Sequence, residues 1–208
     1  MDFQTWKPIY ERILADFDYS RQADETAARI LQSLVETPMS PEVLREVIEG
    51  EDVSICGAAE TLARETDGLT GIVIAADEAT STLLRYNIQP EVIITDLDGD
   101  VTDQIHASQQ GSITVIHAHG DNIEALRRYA PCFTGPIVLT TQAAPFDDVY
   151  NFGGFTDGDR AYFLAQACNA ASITLLGFDF DHPRHKPGKD RAVKHKKLQW
   201  ARRLIEQY

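Results

Sequence analysis

The sequence has few cysteines and no long apolar run. Its three cysteines, Cys56, Cys132 and Cys168, are widely spaced and form no Cys-x-x-Cys pair, which argues against a disulfide framework and a zinc knuckle. No stretch approaches the roughly 20 apolar residues that cross a bilayer, and the first residues lack a basic segment followed by an apolar one. We therefore expect a cytoplasmic protein that neither spans a membrane nor is secreted.

Positive charge is scarce outside the last part of the chain. The net charge is −13, yet residues 182–208 carry nine Lys and Arg against two acids, a net of +7, which leaves −20 for residues 1–181. The acidic body disfavours nucleic acid as a partner because it would repel phosphate backbones. The basic segment, expected to be helical from Lys189 onward, is interpreted either as a solvated helix or as a clamp for a small polyphosphate.

Residues 1–50 show helical periodicity and no candidate catalytic group. One apolar pattern ends near Phe17, a second follows a Ser20 cap, and Ser40-Pro41 with Gly50 predicts the limits of a third helix. We expect this N-terminal helical extension to be a packing or dimerisation layer, as in a homodimer. Residues 51–208 are then the α/β catalytic domain, which ends in the basic helix.

Short apolar runs alternate with helical patterns from Asp52 onward. Strands are predicted at 53–56, 71–75, 92–95, 113–116, 137–139 and 173–176, with helices at 58–65, 79–85, 122–129 and 159–169. This alternation predicts an α/β fold in which a parallel sheet is flanked by helices.

The run Val92–Thr95 is followed by two aspartates and a glycine, in Asp96-Leu97-Asp98-Gly99. Ligands of open α/β sheets bind beyond the carboxyl ends of strands, and on an extended chain Asp96 and Asp98 would point the same way. Two close carboxylates suit Mg²⁺, which often carries substrate phosphates. The alternative is a polar turn after a strand; an EF-hand is excluded because its required Gly and Glu are missing.

Polar residues also follow the other predicted strands. Gly57 and Asp77 follow the first two strands, and His117, His119 and Asp121 follow the fourth. The histidines have no third soft ligand nearby, so zinc is disfavoured. Asp121, at the start of a helix, is preferred as a further Mg²⁺ ligand, although Asp77 and Asp121 would also suit helix caps.

A glycine-rich loop at residues 151–160 precedes a predicted helix. Its spacing matches neither a Walker loop nor a dinucleotide-binding fingerprint. Its backbone N–H groups suit the covering of a ligand, and Arg160 suits a phosphate. A simple connection between elements is the alternative.

Several of these stretches together resemble the archaeal 6-hydroxymethyl-7,8-dihydropterin pyrophosphokinase family. They are Ala75-Ala76-Asp77, residues 90–99, His117-Ala118-His119-Gly120-Asp121-Asn122, residues 154–160 and Leu176-Gly177-Phe178-Asp179-Phe180. The resemblance covers about residues 53–200 and extends weakly to thiamine pyrophosphokinases, from whose motifs Glu78 and Gly99 depart. It implies a thiamine-pyrophosphokinase-like sheet.

The resemblance also implies an activity: transfer of the β,γ-diphosphate of ATP to the hydroxymethyl oxygen of a reduced pterin, with release of AMP, in folate or methanopterin biosynthesis. Asp96, Asp98 and Asp121 would be the catalytic residues and would hold Mg²⁺. The residues expected to bind ATP are Gly57, Asp77, Asn122, Thr156, Asp157, Arg160, Lys194 and Lys197.

Three alternatives remain open from the sequence. Asp-Leu-Asp-Gly also resembles the nucleophile motif of haloacid-dehalogenase phosphatases, with Asp96 as the nucleophile. In that superfamily the nucleophile normally lies on the first strand, whereas here three strand-like runs or their helices already precede the motif. A non-catalytic nucleotide-binding protein would bind ATP and release no AMP. A sugar-transferring relative of flagellin-modification proteins would prefer a nucleotide sugar.

Overall fold

The computed structural model describes residues 1–183, 188 and 190–208. The predicted start of the last helix at Lys189 lies outside the described residues. None of the helices within these ranges has the length and apolar character needed to span a bilayer.

Three helices form at the N-terminus, as the periodicity predicts: α1 (Phe3–Phe17), α2 (Arg21–Leu34) and α3 (Glu42–Ile48). The Ser20 side chain caps α2 by accepting the N–H of Ala23, which satisfies one of the donors left free in a first turn. Both α2 and α3 pack against the sheet that follows them in the chain. The division of the chain at residue 50 stays a prediction.

Seven parallel strands form one sheet: β1 (Asp52–Cys56), β2 (Ile72–Ala76), β3 (Val92–Thr95), β4 (Ile113–Ala118), β5 (Ile137–Thr141), β6 (Val149–Tyr150) and β7 (Ser172–Leu176). Their order is β6-β5-β4-β3-β2-β1-β7, and every pairing is parallel. The predicted α/β fold is confirmed. The two-residue strand β6 was not predicted because it is too short to show a periodicity.

Within the described residues, six further α-helices follow β1 in the chain: α4 (Leu62–Glu65), α5 (Ala79–Arg85), α6 (Val101–Gln109), α7 (Ile123–Tyr129), α8 (Asp157–Ala167) and, after the last strand, α9 (Arg191–Gln207). Helix α4 begins later than predicted, since the N–H of Ala59 donates to Gly177 O of the neighbouring loop instead of joining a helix. The sequence did not predict α6, which has little apolar periodicity.

The central strands β3, β4 and β5 are buried on both faces, which explains their continuous apolar runs. Ile55, Ile74 and Ile94 face α3 and α8, while Ile116 and Leu139 face α2 and α7. The chain runs outward from β1 to β6 and then returns to place β7 on the other side of β1. This reversal is a topological switch point, where open α/β sheets form a crevice at the carboxyl ends of the strands.

Candidate active site at the carboxyl ends of the strands

A cavity of about 340 Å³ lies at the carboxyl ends of the central strands. Its walls come from the residues that follow β1, β2, β3 and β7, and from the first turn of α8. Residues of α9, among them Lys194 and Lys197, also line it. The basic C-terminal helix therefore meets the crevice.

The structure brings nine of the eleven predicted site residues to the lining of this cavity: Gly57, Asp77, Asp96, Asp98, Thr156, Asp157, Arg160, Lys194 and Lys197. They come from five separate segments of the chain.

Asp121 and Asn122 are not among the residues that line the cavity. Asp121 is exposed in the short turn before α7, so we do not retain it as a ligand with Asp96. Asn122 is buried: its amide nitrogen donates to Asp96 O at 2.8 Å and to His117 O at 2.7 Å. It ties the ends of β3 and β4 together instead of facing a nucleotide.

Three carboxylates form a group within the cavity. Asp77, Asp96 and Asp157 each offer an oxygen atom, and these atoms lie within 4.8 Å of one another. The sequence analysis predicted Asp96 as a metal ligand, but it assigned Asp77 and Asp157 to ATP. The three aspartates are separated by 19 and 61 residues along the chain, so only the fold brings them together.

Asp77 follows β2 in a left-handed conformation, with φ 47°. One of its oxygens, Oδ1, accepts hydrogen bonds from Thr95 Oγ1 at 3.0 Å and Gln104 Nε2 at 2.9 Å. A Cβ atom at Gly99 would lie 2.6 Å from Asp77 Oδ2. Gly99 therefore serves close approach to this carboxylate, which explains a glycine directly after the aspartate pair.

The segment from Asp96 to Asp98 is not extended, contrary to the expectation from the sequence, because Leu97 between them is left-handed with φ 66°. Asp96 Oδ2 lies 3.2 Å from His119 Nε2. His119 Nδ1 accepts the N–H of Asp121 at 3.3 Å, so the ring proton is assigned to Nε2 and is donated to Asp96. The other oxygen, Oδ1, is buried and has no hydrogen-bond partner.

The pKa values of Asp96 and Asp157 are shifted in opposite directions by this environment. Burial raises the pKa of Asp96, but its hydrogen bond with His119 and the charge of Arg160 outweigh burial, so the pKa of Asp96 lies below its ordinary value. Burial, and then the charge of Asp96, hold the pKa of Asp157 well above its ordinary value. A cation among the three carboxylates would relieve that repulsion.

Arg160 reaches the carboxylate group from α8. Its Nη1 donates to Asp157 Oδ1 at 2.9 Å, and both side chains are largely buried. The carboxylate of Asp159 holds the preceding loop by accepting the N–H groups of Phe155 and Thr156, both at 2.7 Å. The glycine-rich loop is thereby fixed at the first turn of α8, with Thr156 and Asp157 facing the cavity.

Asp98 lines the cavity but is exposed, and it is not a member of the carboxylate group found among the described residues. On α9, Lys197 Nζ lies 5.4 Å from the ring centre of Tyr19 and 5.5 Å from that of Phe155. Its charge contributes to the lowered pKa of Asp96. Lys194 lines the same wall.

Sequence reasoning missed several residues of the cavity. Tyr19, Gln142, Phe155, Phe178 and Phe180 all line it, and none was predicted as a site residue. The two phenylalanines of Leu176-Gly177-Phe178-Asp179-Phe180 directly follow β7, so their position at a strand end was a usable signal. Gln142 follows β5 in the same way, whereas Tyr19 is brought there only by the packing of α1 and α2.

The donor set fits Mg²⁺. The three clustered groups are carboxylates, the oxygen ligands that this hard cation prefers, and the buried Oδ1 of Asp96 lacks a hydrogen-bond partner. Such a buried polar atom is costly unless something satisfies it. His119 contacts Asp96 from outside the group, and His117 Nδ1 contacts Thr140 Oγ1 at 3.0 Å.

Comparison with known proteins places the chain among pterin enzymes. The family model described as "6-hydroxymethylpterin diphosphokinase MptE-like" matches residues 26–185. Two curated proteins named 6-hydroxymethyl-7,8-dihydropterin pyrophosphokinase are similar over 99% of this chain and 94% of their own length: that of Pyrococcus furiosus is 42% identical and that of Methanothermobacter thermautotrophicus 40%. The homologue of Methanocaldococcus jannaschii, of the same name, is 35% identical.

Among solved structures, the MAf glycosyltransferase from Magnetospirillum magneticum AMB-1 is similar with a TM-score of 0.49 and 12% identity, over 88% of this chain and 35% of that one. This likeness is too low to bear on activity. The family model and the curated relatives, by contrast, match most of this chain. The chain belongs to the MptE-like family of 6-hydroxymethylpterin diphosphokinases.

Proposed function

We propose that this chain transfers diphosphate from ATP to 6-hydroxymethyl-7,8-dihydropterin and releases AMP. The observation that carries the proposal is the group of three carboxylates beside Arg160, in a member of this enzyme family. The substrates are small molecules, and the product belongs to folate or methanopterin biosynthesis. All three cysteines are free thiols, which agrees with a cytoplasmic site of action.

The reaction joins the hydroxymethyl oxygen of the pterin to the β-phosphorus of ATP. The bond from that phosphorus to the α,β-bridging oxygen breaks, AMP leaves, and the hydroxyl proton is lost. Charge develops on phosphoryl oxygens and on AMP, so catalysis depends on positioning and on opposite charge. No covalent intermediate with the protein is needed.

The residues of the cavity suit these tasks. Arg160 presents a planar guanidinium suited to phosphate oxygens, and Lys194 and Lys197 add positive charge to the cavity from α9. His119 orients Asp96 by its hydrogen bond to Oδ2. The other oxygen, Oδ1, has no hydrogen-bond partner and is therefore available to a cation.

Asp77, Asp96 and Asp157 are the residues that would hold Mg²⁺, in place of the set Asp96, Asp98 and Asp121 expected from the sequence. When bound, the cation would neutralise phosphate charge in the cavity and so permit a triphosphate to approach carboxylates. Asp98, at the rim, is then a candidate for contact with a substrate or with cation-bound water.

The phosphatase alternative is not favoured. In that superfamily the nucleophilic aspartate normally follows the first strand, whereas Asp96 follows β3, the third strand in chain order. Asp96 is also engaged by His119 and by the carboxylate group.

AMP release is the direct test. The protein would be incubated with ATP and Mg²⁺ and with 6-hydroxymethyl-7,8-dihydropterin, with thiamine, or with no acceptor. We expect AMP and pterin diphosphate to form in equal amounts with the pterin alone. Tight ATP binding without AMP in any mixture would instead indicate a nucleotide-binding protein.

A further inference from the structure

A buried aspartate of the N-terminal helices is linked to the cavity. Asp24, on α2, has 2% of its surface exposed. Its Oδ2 accepts the hydroxyl of Tyr10 at 2.6 Å and Nε2 of Gln142 at 2.9 Å, while its Oδ1 accepts the N–H of Gly120 at 2.8 Å. A carboxylate with three donors is satisfied in its ionised form.

Gln142 links Asp24 to Arg160. Its amide nitrogen donates to Asp24, so its Oε1 is left to accept Arg160 Nη2, at 3.4 Å. A carboxylate only accepts and a guanidinium only donates, so an amide between them has one possible orientation. Arg160 then donates from its other terminal nitrogen to Asp157.

A second connection runs from Asp24 to Asp96. The Asp24 carboxylate holds Gly120, and His119, the preceding residue, donates to Asp96. A Cβ atom at Gly120 would lie 2.7 Å from the Cβ of Ala23, so glycine permits α2 to approach this turn. One buried carboxylate thus supports the surroundings of both Asp96 and Asp157.

We propose that Asp24 is a positioning residue for diphosphate transfer, acting through Gln142 on Arg160 and through Gly120 and His119 on Asp96. Asp24 touches no substrate. The inference rests on the proposed function and extends it to residues 1–50, where the sequence offers no chemistry. It makes α2 part of the active site's support.

A purely structural role for Asp24 predicts a different outcome. Loss of a buried hydrogen-bonded acid would then lower the thermal midpoint, while the folded fraction would bind cation and turn over normally. A positioning role predicts weaker cation binding and slower transfer in protein that is fully folded. Partners that orient metal ligands typically change affinity or activity by about 10- to 100-fold.

The test compares Asp24→Asn, which removes the charge, with Gln142→Met, which removes the link without changing charge. For each variant, Mg²⁺ binding would be measured by calorimetry, and kcat and KM by AMP release. Ser54→Ala is the matched control: Ser54 is a buried side chain whose hydroxyl bonds Thr70 at the opposite end of the sheet. Its substitution should lower stability and leave cation binding unchanged.

We expect both variants to bind Mg²⁺ about tenfold or more weakly and to lose about 10- to 100-fold in kcat, with the KM for the pterin nearly unchanged. Unchanged cation affinity and kcat in either folded variant would overturn the proposal, as would equal losses in the Ser54 control. If Asp24→Asn does not fold, Gln142→Met decides. If the wild type releases no AMP, the proposed function fails, and calorimetry alone decides the role of Asp24.

Discussion

The two ends of the parallel sheet treat polar groups differently. At the amino end, polar side chains satisfy nearby backbone groups: Ser54 bonds both backbone groups of Thr70, and Glu91 accepts the N–H of Val73 at 2.8 Å. At the carboxyl end, charged groups from distant segments meet, and Asp96 Oδ1 and Arg160 Nε remain buried without a partner. Thr114 Oγ1, near the amino end of β4, is also buried without a partner, so it is the convergence of charged groups that distinguishes the carboxyl end as a candidate binding site.

Removal of divalent cations should have the largest effect on activity, because it acts on the charged groups at the carboxyl end. We expect EDTA to abolish AMP release, because clustered carboxylates repel a triphosphate unless a cation lies between them. Added Mg²⁺ should restore activity more fully than Zn²⁺. Better activation by Zn²⁺ would instead indicate a site centred on His117 and His119.

Asp96→Asn tests the carboxyl end directly. The substitution keeps the shape of the side chain and removes its charge, so we expect kcat to fall by about 10²- to 10³-fold, as when one preorganised electrostatic group is lost. Glu91→Gln removes one charge at the amino end and should leave kcat unchanged. Equal effects of the two substitutions would refute the contrast between the ends.

Asp98→Asn separates the two proposed ligand sets. Asp98 is exposed and lies outside the carboxylate group, so its loss should cost less kcat than that of Asp96. The sequence-based ligand set predicts a loss of about 10²- to 10³-fold for Asp98 as well. Steady-state AMP release by the two variants side by side distinguishes these outcomes.

Lys194→Ala/Lys197→Ala tests the wall formed by α9. We expect the KM for ATP to rise about tenfold, which corresponds to about 1.4 kcal/mol of lost binding, with little change in thermal midpoint. Lys196→Ala is the control on the same helix, because Lys196 contacts Asp16 instead of the cavity. Unchanged ATP kinetics in the double variant would mean that α9 only offsets the negative charge of the rest of the chain. A large fall in the thermal midpoint of the variant would mean that these lysines have a structural role.

Ser54→Ala should give the smallest change, and in stability alone. The hydroxyl donates to Thr70 O and accepts Thr70 N–H, so its loss should lower the free energy of unfolding by about 1 kcal/mol. Urea denaturation measures this change. A substantial fall in kcat would mean that the amino end also influences the site.

Local patterns predicted much of the fold. The β3 run Val92–Thr95 and the helix Ala79–Arg85 have the predicted limits, because an apolar block and a helical pattern are properties of neighbouring residues. Helix α6 was not predicted, because its buried residues include the polar Gln104 and Ser108 beside Val101 and Ala107, so its inward face is only half apolar.

The site was predicted only in part. Asp96 and Arg160 were found because strand ends and glycine-rich loops are visible in the sequence. Asp121 was placed with Asp96 because both follow neighbouring strands, yet it is exposed and does not line the cavity. Asp24 gave no signal, since an acid within an amphipathic helix is usually solvated, whereas this one is buried.

The sequence by itself determined the α/β class and the family, and it predicted the carboxyl edge of the sheet as the place of the candidate site. Those properties follow from short-range periodicity and from motifs. Only the tertiary structure decided that Asp77, Asp96 and Asp157 form one group and that the buried Asp24 accepts hydrogen bonds from Gln142 and Gly120. Which side chains meet depends on strand order, on the left-handed turns at Asp77 and Leu97, and on the packing of α2, and these arise from contacts between residues far apart in the chain.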